Sequence, residues 1–160
     1  MISVLALLER LAQRGQTVAV AESLTGGELI AMLTEPPGAS RVVRGGLVVY
    51  ATDSKTSLVG VDAALLAEVG PVSAAVAKAM AEGARATLAA SYGVGVTGVA
   101  GPDSQDGHPV GEVHIAVAGP GGVVAASPDL RAAGGRSGIR RAACESALGL
   151  LDTVSREAAP

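Results

Sequence analysis

Apolar side chains return every three or four positions along residues 1–14, 26–34, 73–89 and 137–155, the spacing that lines one face of an α-helix. The last stretch is the clearest, with Ile139, Ala142, Ala143, Ala147, Leu150, Leu151 and Val154 on one side. Between these stretches lie short apolar runs of strand character at residues 17–21, 46–51, 92–97, 112–118 and 122–127. Helices and strands alternate through the first two thirds of the chain. The last two strands then follow one another across Gly119-Pro120-Gly121-Gly122, a hairpin signal. The pattern predicts a layered α/β domain with a mixed sheet. No linker, repeat or low-complexity stretch interrupts it, so residues 1–160 are expected to form a single domain.

Composition narrows the picture. The 160 residues are 49% hydrophobic, ample for a core, yet they include two Tyr and no Phe or Trp. The core must therefore be Val, Leu, Ile and Ala, small enough to let helices approach a sheet closely. The same scarcity removes the stacking platforms that single-stranded nucleic acids need. With a net charge of −3 and no basic run, the chain has no grip on a phosphate backbone, and no nucleic-acid partner is expected. The single cysteine, Cys144, excludes an intramolecular disulfide and fits a reducing cytosol; mid-helix beside the apolar stripe, it is expected to pack, not react. No apolar run approaches the roughly 20 residues that span a bilayer. The first residues carry Glu9 and Arg10 in an amphipathic pattern unlike a targeting leader, so a cytoplasmic protein without a membrane partner is expected.

The segment Ala21-Glu22-Ser23-Leu24-Thr25-Gly26-Gly27 puts a serine at the end of an apolar run and just before two glycines that open a helix. At such a handover the first helical N–H groups lack partners and suit an oxyanion or a phosphate. Thr25-x-x-Glu28 also reads as a capping box, which would satisfy those donors without any catalysis. Lys55 follows the strand ending at Tyr50, where a short helical turn is expected to start, and is either a solvated surface charge or a neighbour of Ser23, since both would leave the same edge of a sheet. A desolvated lysine can deprotonate a serine hydroxyl, so a Ser/Lys pair hydrolyses amides without histidine.

Other candidates weaken on inspection. His108 and His114 stand six apart without further ligands, and Asp103, Asp106 and Gly107 have the wrong spacing for a calcium loop, so no metal is expected. Gly93-Val94-Gly95-Val96-Thr97-Gly98 matches the dinucleotide fingerprint as a string, but it lies inside a strand with no helix after it. Two glycine-rich loops, Glu35 to Ser40 leading into Arg44-Gly45-Gly46, and Thr97 to Gly111, flank strands where α/β proteins place ligands. Arg136 and Arg140, four apart at the start of the last helix, either grip a phosphate or belong to a solvated cationic face with Arg131 and Arg141.

Taken together, the Ala21–Gly27 segment, Pro37-Gly38-Ala39-Ser40, Gly45-Gly46-Leu47-Val48-Val49-Tyr50 with Lys55, Val72-Ser73, Thr97-Gly98-Val99-Ala100-Gly101-Pro102, Pro109-Val110-Gly111 and Gly135-Arg136-x-x-Ile139-Arg140 closely resemble the CinA C-terminal domain family over nearly the whole chain. That family includes the stand-alone nicotinamide-nucleotide amidohydrolases. The resemblance implies a three-layer α/β/α domain that converts nicotinamide mononucleotide and water to nicotinate mononucleotide and ammonia in pyridine-nucleotide salvage, with no cofactor. Carried onto this chain, it makes Ser23 the nucleophile and Lys55 its base, with Tyr50 and Ser40 as supporting polar groups and Ser40 as reserve nucleophile. Amides at Thr25, Gly26 and Gly27 become oxyanion donors. The loop containing Thr97, Gly98 and Gly101 walls the nucleotide pocket, and Arg136 or Arg140 balances the phosphate. Larger relatives carry an additional N-terminal domain, for which 160 residues leave no room. Four departures from the family's pattern stand out: Leu24 replaces a common cysteine, Asp53 a usual asparagine, Gly135 a frequent aspartate, and Asp103 to His108 a glycine-rich stretch. The competing reading is a nucleotide-binding or competence-associated regulatory module without turnover. Association into a dimer would stabilise a small domain poor in aromatics.

Overall fold

A five-stranded sheet organises the chain, with strands β1 (Val18–Glu22), β2 (Val43–Val48), β3 (Tyr92–Gly98), β4 (Val113–Gly119) and β5 (Gly122–Ala126) in the order β2-β1-β3-β4-β5. The computed structural model describes residues 2–157; Met1, where the first expected helix begins, and residues 158–160 lie outside the described residues. β1 runs parallel to both β2 and β3, whereas β4 is antiparallel to β3 and to β5, so the sheet is mixed, as the sequence pattern predicts. β1 is buried at every position because it sits between two strands and two helical layers, which explains its unbroken apolar run.

Alternation along β1 separates those layers. Val18 and Val20 join the larger core with Leu7 and Leu11 of α1 (Val4–Gln13), Leu29 and Leu33 of α2 (Glu28–Thr34), and Ile139, Ala143 and Leu151 of α6 (Gly135–Glu157). Ala19 and Ala21 face the other way. They pack with Val59 of α3 (Thr52–Val59), Leu66 of α4 (Ala63–Val69), and Val76, Met80 and Ala84 of α5 (Ala74–Thr87). The result is an α/β/α sandwich.

Small residues permit an unusually close layer on the α5 side. A Cβ at Gly95 would lie 2.2 Å from the carbonyl oxygen of Ala77, and one at Gly93 would lie 2.0 Å from that of Ala81. The alternating glycines of the apparent dinucleotide fingerprint are therefore the floor on which α5 rests. Their spacing of two is strand periodicity, with both facing the same helix.

Several boundaries differ from the sequence expectation. β2 starts at Val43, not residue 46, and ends at Val48, because its register with β1 (Val18 on Val43, Glu22 on Val48) decides the pairing. The Arg44-Gly45-Gly46 segment is consequently strand and not loop, with a register shift after Val18 that skips Arg44. The short helical turn expected after Tyr50 is the eight-residue α3, and α4 is an additional helix capped by Asp62, which accepts the Ala64 N–H at 2.8 Å. The hairpin between β4 and β5 forms as expected, with Gly119 paired to Gly122.

Candidate active site

Because β1, β2 and β3 are parallel, their C-terminal ends open onto one edge of the sheet, and the chain leaves each of them carrying site residues. A cavity of about 160 Å³ lies there. Ser23 and Leu24 enter it from the end of β1, Tyr50, Thr52 and Lys55 from beyond β2, and Thr97 to Gly101 from the end of β3. Pro71 and Val72 close one wall, and Asp103, Gln105 and Arg136 stand at its mouth.

At the bottom, Lys55 Nζ lies 3.0 Å from Ser23 Oγ and donates to the Val49 carbonyl at 2.8 Å. Lys55 is 1% exposed, and among the described residues no carboxylate lies within ion-pair distance of its amine. Burial without a counter-charge penalises the ammonium, so the Lys55 pKa falls to about 8. Once neutral, the amine can keep one N–H on the Val49 carbonyl and offer its lone pair to the serine hydroxyl. Lys55 reaches this position because α3 begins three residues earlier and points its first buried side chain back toward the end of β1.

The turn after Ser23 is held differently from the capping box read in the sequence. Thr25 Oγ1 is buried without a hydrogen-bond partner, while the carboxylate of Glu22, fully buried at the end of β1, accepts the N–H groups of Gly27 (3.1 Å), Leu29 (3.0 Å) and Ile30 (2.9 Å). A carboxylate thus takes the helix N-terminal donors of α2, where its charge also complements the helix dipole. The Gly26 N–H is spent on the Ser23 carbonyl at 3.1 Å. Neither glycine amide is therefore free for an oxyanion. Among the described residues, the Leu24 and Thr25 amides are the ones in this turn that donate to no protein acceptor. The role of Glu22 was not legible, since a strand-terminal glutamate gives no sign of which helix it caps.

The structure separates the remaining candidates. Tyr50 stands at the mouth, where its hydroxyl accepts from Arg136 Nη2 at 3.4 Å, and Arg136 Nη1 donates to the Gly101 carbonyl at 2.6 Å. Thr97 lines the cavity, but its hydroxyl donates to Pro71 O at 2.6 Å and so ties two walls together. Gly98 and Gly101 also line it. Ser40 lies elsewhere, exposed in the 3₁₀ turn Ala39–Arg41 and outside the cavity lining. Arg140 is also outside it; its Nη2 donates to the Thr25 carbonyl at 2.9 Å and meets Glu28 at 3.8 Å, bracing the serine turn against α6. Leu24 is 4% exposed and part of the larger core, which accounts for an apolar side chain there. Asp53 is exposed in the first turn of α3 and Gly135 opens α6. Cys144 is buried in the core, and burial, with Glu28 and Glu22 nearby, pushes its thiol up to about 12, which rules it out as a nucleophile at neutral pH.

The two histidines meet on one carboxylate. His108 Nδ1 lies 3.0 Å and His114 Nε2 2.9 Å from the same Oε1 of Glu112, and these contacts lower the Glu112 pKa against the opposing effect of burial. Asp106 and Gly107, which loosely suggested a calcium loop, have φ values of +51° and +81° and form the tip of a tight turn with Gln105 and His108 bridged across it. Among the described residues no helix is long and apolar enough to cross a membrane.

Comparison with known proteins agrees with this architecture. The profile of the CinA C-terminal domain matches residues 3–155. A CinA-like protein of Frankia casuarinae is 52% identical over 145 residues, 91% of this chain and 33% of that protein. A putative competence-damage inducible protein of Desulforamulus reducens is 47% identical over 140 residues, 88% of this chain and 34% of that protein. The chain thus spans about a third of the length of the curated relatives it matches. Among solved structures, the competence/damage inducible protein CihA of Agrobacterium tumefaciens superposes with a TM-score of 0.87 at 36% identity, covering 95% of each chain. A competence damage-inducible protein A of Klebsiella pneumoniae superposes with a TM-score of 0.90 at 28% identity, covering 99% of this chain and 100% of that one. The chain belongs to the CinA C-terminal domain family.

Proposed function

We propose that this domain is an amidohydrolase that converts nicotinamide mononucleotide to nicotinate mononucleotide and ammonia through an acyl-enzyme on Ser23. The observation that carries the reading is the buried Ser23–Lys55 contact at 3.0 Å, with a lysine whose proton is already loosely held. Neutral Lys55 takes the Ser23 proton as Oγ adds to the carboxamide carbon. The resulting oxyanion is stabilised by the amides of Leu24 and Thr25, the donors that the Glu22 cap leaves free. Collapse breaks the C–N bond, and the Lys55 ammonium returns its proton to the departing nitrogen, releasing ammonia. A water, deprotonated by the same amine, then cleaves the Ser23 ester and frees the carboxylate.

The family resemblance and the shape of the site support this choice of substrate. A small, polar inner cavity takes the carboxamide and its ring, leaving the ribose and phosphate at the open mouth beside Arg136. A cationic pyridinium makes the carbonyl carbon more electrophilic. Placed against Lys55, it also favours the uncharged amine that the first step requires.

The deciding experiment measures ammonia and nicotinate mononucleotide produced from nicotinamide mononucleotide by the wild type, Ser23→Ala and Ser40→Ala, with the fold of each checked by circular dichroism. Loss of turnover by at least about a thousandfold in Ser23→Ala alone is expected, as removal of a nucleophile demands. Loss in Ser40→Ala alone would sink the assignment of Ser23. A folded wild type that binds the nucleotide without hydrolysing it would favour the regulatory module instead.

A further inference from the structure

The mouth of the cavity carries one carboxylate, Asp103, and one guanidinium, Arg136, and neither forms an ion pair with the other or with any other described residue. Arg136 is held in place by Gly101 O and leans on the Tyr50 hydroxyl. Asp103 is two residues beyond Gly101 on a segment that the fold fixes firmly. Gln105 and His108 exchange backbone hydrogen bonds at 3.1 and 2.8 Å, His108 is fastened to Glu112, and Gly111 donates to Val99 O at 2.8 Å. The acid is thus presented by a pinned hairpin with its oxygens uncommitted, beside a cation that is also fixed.

Neither charge is neutralised by a partner among the described residues, so each remains available to a ligand. An uncommitted carboxylate is the standard acceptor for the vicinal hydroxyls of a ribose, whereas a guanidinium suits a phosphate. We infer that Asp103 is a specificity-determining residue that accepts the ribose hydroxyls of the bound nucleotide, while Arg136 takes its phosphate. The inference rests on the proposed nucleotide substrate and deepens it, because it says how a ribosylated amide is told from a free one.

Binding separates the two ideas, so the test does not depend on turnover. Calorimetric dissociation constants for nicotinamide mononucleotide, nicotinamide riboside and the mononucleotide lacking its 2′- and 3′-hydroxyls are measured on Ser23→Ala and on Ser23→Ala with Asp103→Asn. Asp103 is exposed and its side chain supports no neighbour, so the substitution leaves the fold intact. Asp103→Asn is expected to weaken the mononucleotide and the riboside alike, by about tenfold, and to leave the dideoxy compound unchanged. Arg136→Ala is expected to weaken the mononucleotide and spare the riboside. In the parallel assay on enzymes that retain Ser23, Asp103→Asn raises KM with kcat within about twofold. Equal losses with and without the ribose hydroxyls, or no loss at all, would overturn the inference while leaving the hydrolase reading untouched. Asp103-dependent binding without hydrolysis by the wild type would uphold the inference and defeat that reading, and no binding of any nucleotide would defeat both.

Discussion

Lys55 carries the clearest consequences at the scale of single residues. Its folded pKa is about 8 against an ordinary value of 10.5, so the folded protein loses this proton first as pH rises. Between pH 8 and 10.5 the unfolded chain binds more protons, and stability must rise with pH across that window; below 8 the full cost of a buried ammonium is present. Lys55→Met removes that cost. Thermal melts should show the variant more stable than wild type at pH 7, by up to about 3 kcal/mol before the lost bond to Val49 O is counted, with the difference shrinking toward pH 10.5. A variant less stable at pH 7 and at pH 10 alike would contradict the burial argument. In the proposed mechanism the same group sets the rate, so kcat/KM should rise with pH through a midpoint near 8 and then level off. Because the bound pyridinium disfavours the ammonium, the midpoint for kcat should lie below that for kcat/KM. Coincident midpoints would remove the ring cation from the neighbourhood of Lys55.

Elements explain why the site has this form. β1, β2 and β3 end on one edge, α3 swings Lys55 back to Ser23, and the Glu22 cap holds α2 while leaving two amides free. Close packing of α5 on β3 sets the third wall, since Thr97 and Pro71 are joined across that junction. Gly95→Ala would place a methyl group 2.2 Å from the Ala77 carbonyl, so the helix must retreat. A loss of about 2–4 kcal/mol is expected in urea titrations, with reduced activity because the wall moves as well. Unchanged stability would mean that α5 is less tightly seated than its glycine floor implies. Helices with long stripes, α1, α5 and α6, were legible in the pattern. α3 was legible only as a short turn and not at its full length, because its buried positions are only Lys55 and Val59, and a lysine gives no apolar signal.

At the level of the whole molecule, composition and pattern go far. A chain nearly without aromatics, rich in Ala and Gly, and alternating between periods near 3.6 and 2 has few packings other than helices laid closely on both faces of a sheet. The β4–β5 hairpin, the burial of Cys144 and the handover at Ser23 could all be read from local order, because each depends on neighbours within a few residues. What depended on distant partners could not. The start of β2 followed its register with β1, the capping of α2 came from a strand carboxylate and not from Thr25, and Arg140 proved a brace for the serine turn, not a cavity residue. Ser40 and Ser23 are both serines near glycines in sequence, yet only one stands beside a buried amine. Burial and the meeting of residues 32 positions apart are properties of the packed chain. The pattern of residues chose the layers; the packing of those layers chose which serine, which lysine and which arginine face the cavity.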